Sequence, residues 1–218
     1  MFIKTFPVGP FQCNCTILAD PVSGTAIIVD PGDNAEKIMS EVKKTGCTVK
    51  YLIHTHAHLD HIGATKVAKD QLGGAICLHK ADQFLYDNIA MQGEFLGMQL
   101  DPEVRAVDHY INQGDELEAG ILKAQVIHTP GHTPGSLCFM FNGLKLAEDK
   151  VVNLLFSGDT LFAGSIGRTD LWGGDYGQII ASIKERLLIL PGETIVVTGH
   201  GPTTTIGREK ISNPFVGG

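Results

Sequence analysis

His56, His58, Asp60 and His61 all fall within the six-residue run HAHLDH. Three imidazoles and a carboxylate at that density suit a pair of first-row metal ions. Imidazole takes zinc, iron or copper, and a carboxylate adds the negative charge that lets two cations sit close together. His56 and His58 are two apart in an extended stretch, so both side chains can point to one side. Asp60 and His61 fall where a helix begins and can face a neighbouring position. Three later segments repeat the device. TPGHTPGS at 129–136 sets His132 in a tight turn, SGDTLF at 157–162 puts Asp159 just past an apolar strand, and GHGP at 199–202 places His200 after a β-branched one. Glycine tolerates unusual backbone angles and proline stiffens the rest, so such loops can bring ligands together. Chance histidines in polar loops do not explain four clusters at the same kind of place. A catalytic site of this type keeps a position open for water, whose proton is lost near pH ~7 when a metal binds it.

These loops need elements to hold them. Residues 49–53 read as a buried strand leading into HAHLDH, and residues 62–68 as a helix leaving it. Ligand clusters at the C-terminal ends of strands are where open sheets place active sites. Residues 2–8, 13–19 and 25–30 read as successive short strands, with turns at 9–10 and 21–24. A turn at 31–34 leads to an amphipathic helix over 35–44. Residues 80–99 look helical and then loose, a second run of strands spans about 117–156, and 176–188 form a helix before the last strand at 195–198. Strand runs each joined to helices predict the α/β class, as an αββα sandwich of two mixed β-sheets with helices on the outer faces. At 218 residues, 43% hydrophobic and with 26 glycines, the chain suits a single domain over 1–218.

With these motifs in that order, the chain resembles the metallo-β-lactamase-fold hydrolases and, within them, the short glyoxalase II-like (hydroxyacylglutathione hydrolase-like) proteins. The resemblance rests on THAHLDH at 55–61 together with the three later motifs, and covers nearly the whole chain. It implies one metal held by His56, His58 and His132, a second held by Asp60, His61 and His200, and Asp159 as a bridge. The cofactors would be two divalent ions, zinc first, with iron or manganese as alternatives. Asp60 and Asp159 would also orient the hydroxide nucleophile, which makes both catalytic. Longer glyoxalase II enzymes carry a C-terminal helical extension with basic residues for glutathione. Only 16 residues follow Pro202, so the resemblance is to the short form.

No residue stands out as a general acid for a poor leaving group. A thioester needs none, because a thiol of pKa ~8.5 departs readily as its thiolate. The expected activity is therefore hydrolysis of hydroxyacylglutathione (lactoylglutathione) or a related acyl-thiol. A mononuclear-iron persulfide dioxygenase is the alternative, resembling the chain at Gly167-Arg168-Thr169-Asp170 and using the equivalents of His56, His132 and Asp159. A non-catalytic binding module would show an incomplete ligand set. A β-lactamase role is open to the fold, but a cytoplasmic location argues against it. With a net charge of −7, an anionic thiol carrier needs local cations. Arg168 is the candidate substrate-binding residue; Arg208 and Lys210 follow the His200 loop and could reach the mouth, but read first as solvated charges.

His54 shares strand parity with His56 but falls outside the family pattern, so it reads as structural, as does His128. His79 and His109 read as ordinary surface or loop residues. Cys13 and Cys15 share one face of a strand, where a reduced core pair is the simpler reading than a metal site. An odd count of five cysteines and no leader at the start point to reduced thiols in the cytoplasm. No apolar run approaches a membrane span. The acidic balance argues against nucleic acid, which needs a basic face. The expected partner is a small acyl-thiol.

Overall fold

A computed structural model describes residues 1–98, 103–146 and 150–218. The first sheet has six strands in the order β1 (Phe2–Val8), β2 (Cys13–Asp20), β3 (Thr25–Val29), β4 (Thr48–Ile53), β5 (Ala75–Leu78) and β6 (His109–Tyr110). Its first three strands run antiparallel and the rest are parallel, which makes the sheet mixed. The second sheet runs β14 (Thr204–Thr205), β13 (Ile195–Thr198), β10 (Val151–Gly158), β9 (Leu137–Lys145), β8 (Leu122–His128) and β7 (Glu116–Ala119). It too is mixed, since β10 and β13 pair in parallel while the other pairs are antiparallel. A short hairpin, β11 (Leu161–Phe162) and β12 (Ser165–Ile166), stands apart.

The sequence explains the layering. Inner faces of both sheets carry β-branched and aromatic residues, and Leu18, Ile27, Ile53, Phe139, Phe141 and Phe156 meet in one core between them. The opposite face of the first sheet buries Cys13, Cys15, Ile17 and Ile28. Against it pack α1 (Ala35–Thr45), α3 (Thr65–Leu72) and the pair α4 (Gln83–Tyr86) and α5 (Ile89–Phe95), through Ile38, Ala68, Leu85 and Ile89. Outside the second sheet, α6 (Tyr176–Ser182) and α7 (Ile206–Ser212) cover Cys138, Met140, Leu155 and Val196. The αββα sandwich expected from the strand and helix order is the observed architecture.

Local differences have tertiary causes. The single helix expected over 62–68 is two: α2 (Leu59–Ile62), then α3 after a break at Gly63. The Pro31–Gly32 turn presses against that break, and Ala64 N–H donates to Pro31 O at 2.9 Å. A Cβ on Gly32 would lie 1.6 Å from Asp60 O, and one on Gly63 would lie 2.5 Å from Gly32 O. Backbone is touching backbone, which no side-chain adjustment can relieve. Gly32→Ala is expected to lower the unfolding free energy by about 3 kcal/mol, at the upper end of overpacking costs, read as a fall in the urea midpoint at constant slope. The segment read as helical over 80–99 is a short 3₁₀ turn followed by α4 and α5, and Gln99 lies outside the described residues. The helix expected over 176–188 starts as α6 and ends in a π-type turn over Ile183–Leu187. The strand run over 117–156 is β7 to β10, with residues 147–149 outside the description.

Candidate metal centre

Four loops converge at one edge of the sandwich. The HAHLDH loop leaves β4, the TPGHTPG turn leaves β8, Asp159 follows β10 and His200 follows β13. Two cross-connections and one close approach hold them in place. Asn14 of β2 donates its side-chain amide to Thr198 O and Gly201 O at 2.9 and 3.0 Å, which pins the His200 loop to the first sheet. Leu137 N–H donates to Thr55 O at 2.6 Å, tying the base of HAHLDH to the second sheet. Gly199 lets the His200 loop pass Asp159, since a Cβ there would meet Asp159 Oδ1 at 2.0 Å.

The seven side chains form two overlapping groups. His56 Nε2 and His58 Nδ1 lie 3.2 and 2.9 Å from His132 Nε2. His200 Nε2 lies 3.3 Å from His61 Nε2 and 3.1 Å from Asp60 Oδ2. Asp159 sits between the groups, with Oδ1 3.4 Å from His61 Nε2 and Oδ2 3.7 and 3.6 Å from His132 and His200. All seven residues named from the sequence thus stand together. The sequence did not show that His56 presents Nε2 and His58 Nδ1.

Outer contacts decide which nitrogen is free. His61 Nδ1 lies 3.0 Å from the Asp30 carboxylate, His132 Nδ1 2.8 Å from Arg168 O, and His200 Nδ1 2.9 Å from Phe11 O. An acceptor there fixes the proton on Nδ1 and leaves Nε2 as a bare lone pair aimed inward. Inward nitrogens 3.2–3.3 Å apart repel unless a proton or a metal cation lies between them. Asp159 Oδ1 adds a buried carboxylate oxygen with no hydrogen bond. A divalent ion fits both features, and the donor set suits zinc or iron.

Electrostatics agree. Burial pushes the His58 imidazole down to about 3, aided by His132, so it is neutral and ready to coordinate. Burial also holds His56 and His132 below the usual histidine range. Burial opposes charge on His61 too, but Cys13, Asp60, Asp159 and Asp30 together hold it well above that range. The surroundings of His61 therefore favour positive charge, whether a proton or a metal ion. Asp159 is pushed up by burial yet held well below the carboxylate range by His61, His132 and His200.

Residues beyond the expected set brace these ligands. Asp30, in a left-handed backbone conformation at φ 49°, turns its carboxylate under the loop. There it accepts from Thr55 N–H, Thr55 Oγ1–H and His61 at 2.7, 2.7 and 3.0 Å. Thr55 Oγ1 is also 3.1 Å from His56 Nδ1, so Asp30 steadies ligands of both groups. Asp82 is fully buried and accepts from Ala57 N–H, Thr133 Oγ1–H and Gly135 N–H at 3.1, 2.8 and 2.6 Å. It joins the HAHLDH loop to the His132 turn. Gln92 of α5 accepts from Leu59 N–H and donates to Ala57 O and Leu85 O, which uses both ends of its amide.

The other histidines separate as expected, with one addition. His54 is buried between Cys77 O and Thr65 Oγ1 at 3.1 and 2.8 Å, away from the cluster. His128 holds Pro134 O at 2.9 Å. His79 is more than a loop residue: it stacks on His128 with ring centroids 4.2 Å apart and caps the 3₁₀ turn. His109 is exposed on the edge strand β6. Cys13 and Cys15 are buried free thiols on one strand face.

Above the cluster opens a cleft of about 140 Å³, walled by Phe11, Leu59, Leu96, Leu171 and Trp172. Arg168 is at its rim, but its guanidinium is forked onto Asp170 at 2.7 and 2.8 Å and both side chains are exposed. Arg168 touches the centre through its carbonyl, on His132. Arg208 and Lys210 are exposed on α7 and are not among the described residues lining the cleft, in keeping with their reading as solvated charges.

Two facing mixed sheets with a His/Asp cluster where their loops meet define a metal-binding α/β sandwich. Residues 8–200 match the metallo-beta-lactamase superfamily, and the chain belongs to it. It is 39% identical to the hydroxyacylglutathione hydrolase GloC of Haemophilus influenzae, across 99% of this chain and 98% of that one. Among solved structures, the BLEG-1 B3 metallo-beta-lactamase superposes with a TM-score of 0.89 at 37% identity, covering all of both chains. TTHA1623 in a di-iron-bound form superposes with a TM-score of 0.81 at 34% identity, over 99% of this chain and all of that one. Among the described residues, no helix is long and apolar enough to cross a membrane.

Proposed function

We propose that this chain, acting as a single domain, is a binuclear metal-dependent thioester hydrolase. His56, His58 and His132 would hold one divalent ion, Asp60, His61 and His200 a second, and Asp159 would bridge them. When bound, such a pair supplies Lewis-acid polarisation of the acyl carbonyl and brings the pKa of water toward neutrality. The inward-facing imidazole nitrogens 3.2–3.3 Å apart around a carboxylate support this reading above all.

The chain's own groups have defined tasks. Outer hydrogen bonds donated to Asp30, Arg168 O and Phe11 O keep His61, His132 and His200 in one tautomer. Asp60 and Asp159 would accept hydrogen bonds from the attacking water or hydroxide and so orient its lone pair toward the carbonyl carbon. The apolar walls of the cleft exclude bulk water and strengthen charge interactions inside. Among the described residues lining the cleft, none outside the cluster is a carboxylic acid, histidine or tyrosine placed to protonate a leaving group. That favours a thiolate leaving group over an amine or alkoxide, and the likeness to the relative named GloC supports the same choice. Arg168 is the cation at the rim for an anionic thiol, in competition with Asp170. A reducing cytoplasm suits the five free cysteines.

The test is metal analysis of the purified protein beside turnover of lactoylglutathione. Two ions per chain are expected, with hydrolysis lost to a chelator and restored by zinc. Oxygen uptake with glutathione persulfide, one iron per chain and no thioester turnover would establish the dioxygenase instead. Cleavage of a β-lactam in place of thioesters would move the chain toward its BLEG-1 neighbour.

A cysteine nucleophile is disfavoured, because burial pushes the Cys13, Cys77 and Cys138 thiols up to about 12. Alanine at Cys47, Cys77 or Cys138 is expected to leave kcat largely unchanged, with no acyl-cysteine adduct in the mass spectrum during turnover.

A further inference from the structure

The cleft beside the cluster is lined by more apolar surface than a small hydroxyacyl group needs. Trp172 stands next to the metal-facing histidines, its ring centroid 6.3 Å from that of His58. Phe95 meets it edge-on at 5.1 Å. Leu96 and Phe11 of the cleft wall are 47% and 42% exposed, and Phe95, 65% exposed, joins them through its contact with Trp172. Apolar surface in that concentration marks a binding site, and covering it is favourable.

Two polar side chains of the same cleft are already committed. Both ends of the Gln92 amide are bonded to backbone, and the Arg168 guanidinium is held by Asp170. The adjoining cavity, which shares Phe11, Leu59 and Asp60 with the cleft, adds Val8, Pro10, Met98 and the carboxylate of Asp33. It offers an anionic substrate no cation. Outside the cluster, the polar groups the described lining leaves uncommitted are the Trp172 indole N–H and one oxygen of Asp33, so the wall facing a seated acyl group is mainly apolar.

We propose that Trp172, with Phe95, Leu96 and Phe11, forms the seat of the substrate's acyl group and selects thioesters whose acyl portion is aromatic or bulky and apolar. Trp172 is the specificity-determining residue. The proposal rests on the thioester reading above. A polar thiol portion then extends toward solvent past Arg168. An aromatic acyl group meets the indole and the Phe95 ring in offset or edge contacts, which aromatic pairs prefer.

Trp172 is the only tryptophan in the chain, so intrinsic fluorescence reports occupancy of this wall without turnover. The probes are S-benzylglutathione and S-methylglutathione, which share a thiol and differ in the group at the acyl position. The benzyl probe is expected to change the emission and to bind at least about 10-fold tighter, equivalent to about 1.4 kcal/mol. In parallel, the ratio of kcat/KM for mandeloylglutathione over lactoylglutathione is expected to exceed one. That ratio should fall about 10-fold in Trp172→Ala and be largely restored in Trp172→Phe, a pattern that simple unfolding would not give. Equal affinities with unchanged emission, or a ratio unmoved in Trp172→Ala, overturn the proposal. If neither thioester is hydrolysed while the benzyl probe still binds and shifts the emission, the thioester reading fails and the apolar wall stands.

Discussion

Replacing Asp159 by alanine is expected to reduce metal content from two ions per chain to one or fewer, and to lower kcat/KM by more than about 100-fold. Outer partners of metal ligands alone are worth about 10–100-fold, and Asp159 faces the inward nitrogens themselves. Its two oxygens lie 3.4–3.7 Å from the inward nitrogens of His61, His132 and His200. The buried Oδ1 has no hydrogen bond that would give it a purely structural task. The proposed ligand set carries two negative charges, from Asp60 and Asp159. Removing one leaves a single carboxylate against four positive charges, with the repulsion between two divalent ions roughly 3.5–4 Å apart poorly offset. Asp159→Asn separates charge from shape, since it keeps the volume and one oxygen and should lose nearly as much metal. The measurements are plasma emission analysis of dialysed protein and steady-state hydrolysis, with circular dichroism to verify folding. Two ions per chain and near-normal turnover in the alanine variant would remove Asp159 from the site.

The ligands were legible in the sequence because each sits in a short, dense motif at a strand end, where local spacing carries the information. What was missed acts over long sequence distances. Asp30 reaches Thr55 and His61 across 25 and 31 residues, and one aspartate after a strand carries no periodic signal. Its position does obey the rule that found the others, being a ligand-type residue where an apolar strand opens into Pro-Gly. Asp82 and Gln92 lie in a stretch whose local pattern says only helix. Their task shows in what their amide and carboxylate touch, not in their spacing. Trp172 was invisible for the opposite reason, as an aromatic in an irregular loop gives no period to read. The sandwich was legible because strand alternation and helix amphipathicity are local. The break between α2 and α3 was not, because it comes from the Pro31–Gly32 turn arriving from elsewhere.

Asp82 offers a test in which stability and metal affinity move apart. Burial raises its carboxyl from the ordinary 3.8 to about 6, against the pull of hydrogen bonds from Thr133, Gly135 and Ala57. Because the folded-state value lies above the unfolded one, the folded protein binds more protons between about pH 4 and pH 6. Stability from this group is therefore fully present below pH 4, declines as pH rises through that window and is flat above it. A shift of about two units corresponds to about 3 kcal/mol. Asp82→Asn removes the buried charge and with it this decline. It also turns an amide N–H toward donors that had faced an oxygen, and one orphaned donor costs about 1–3 kcal/mol. The two effects nearly cancel, so urea midpoints at pH 7 in chelator are expected to be close for variant and parent. The difference between them should change sign or shrink sharply from pH 4 to pH 7. Metal affinity has no such compensation, since the carboxylate joins the loop carrying His56 and His58 to the turn carrying His132. Competition against a chelator should show a loss of about 10–100-fold. A residue that merely supported the fold would lower both quantities together. Unchanged metal affinity, or parallel pH dependences in parent and variant, would show that Asp82 does not position the ligand loops.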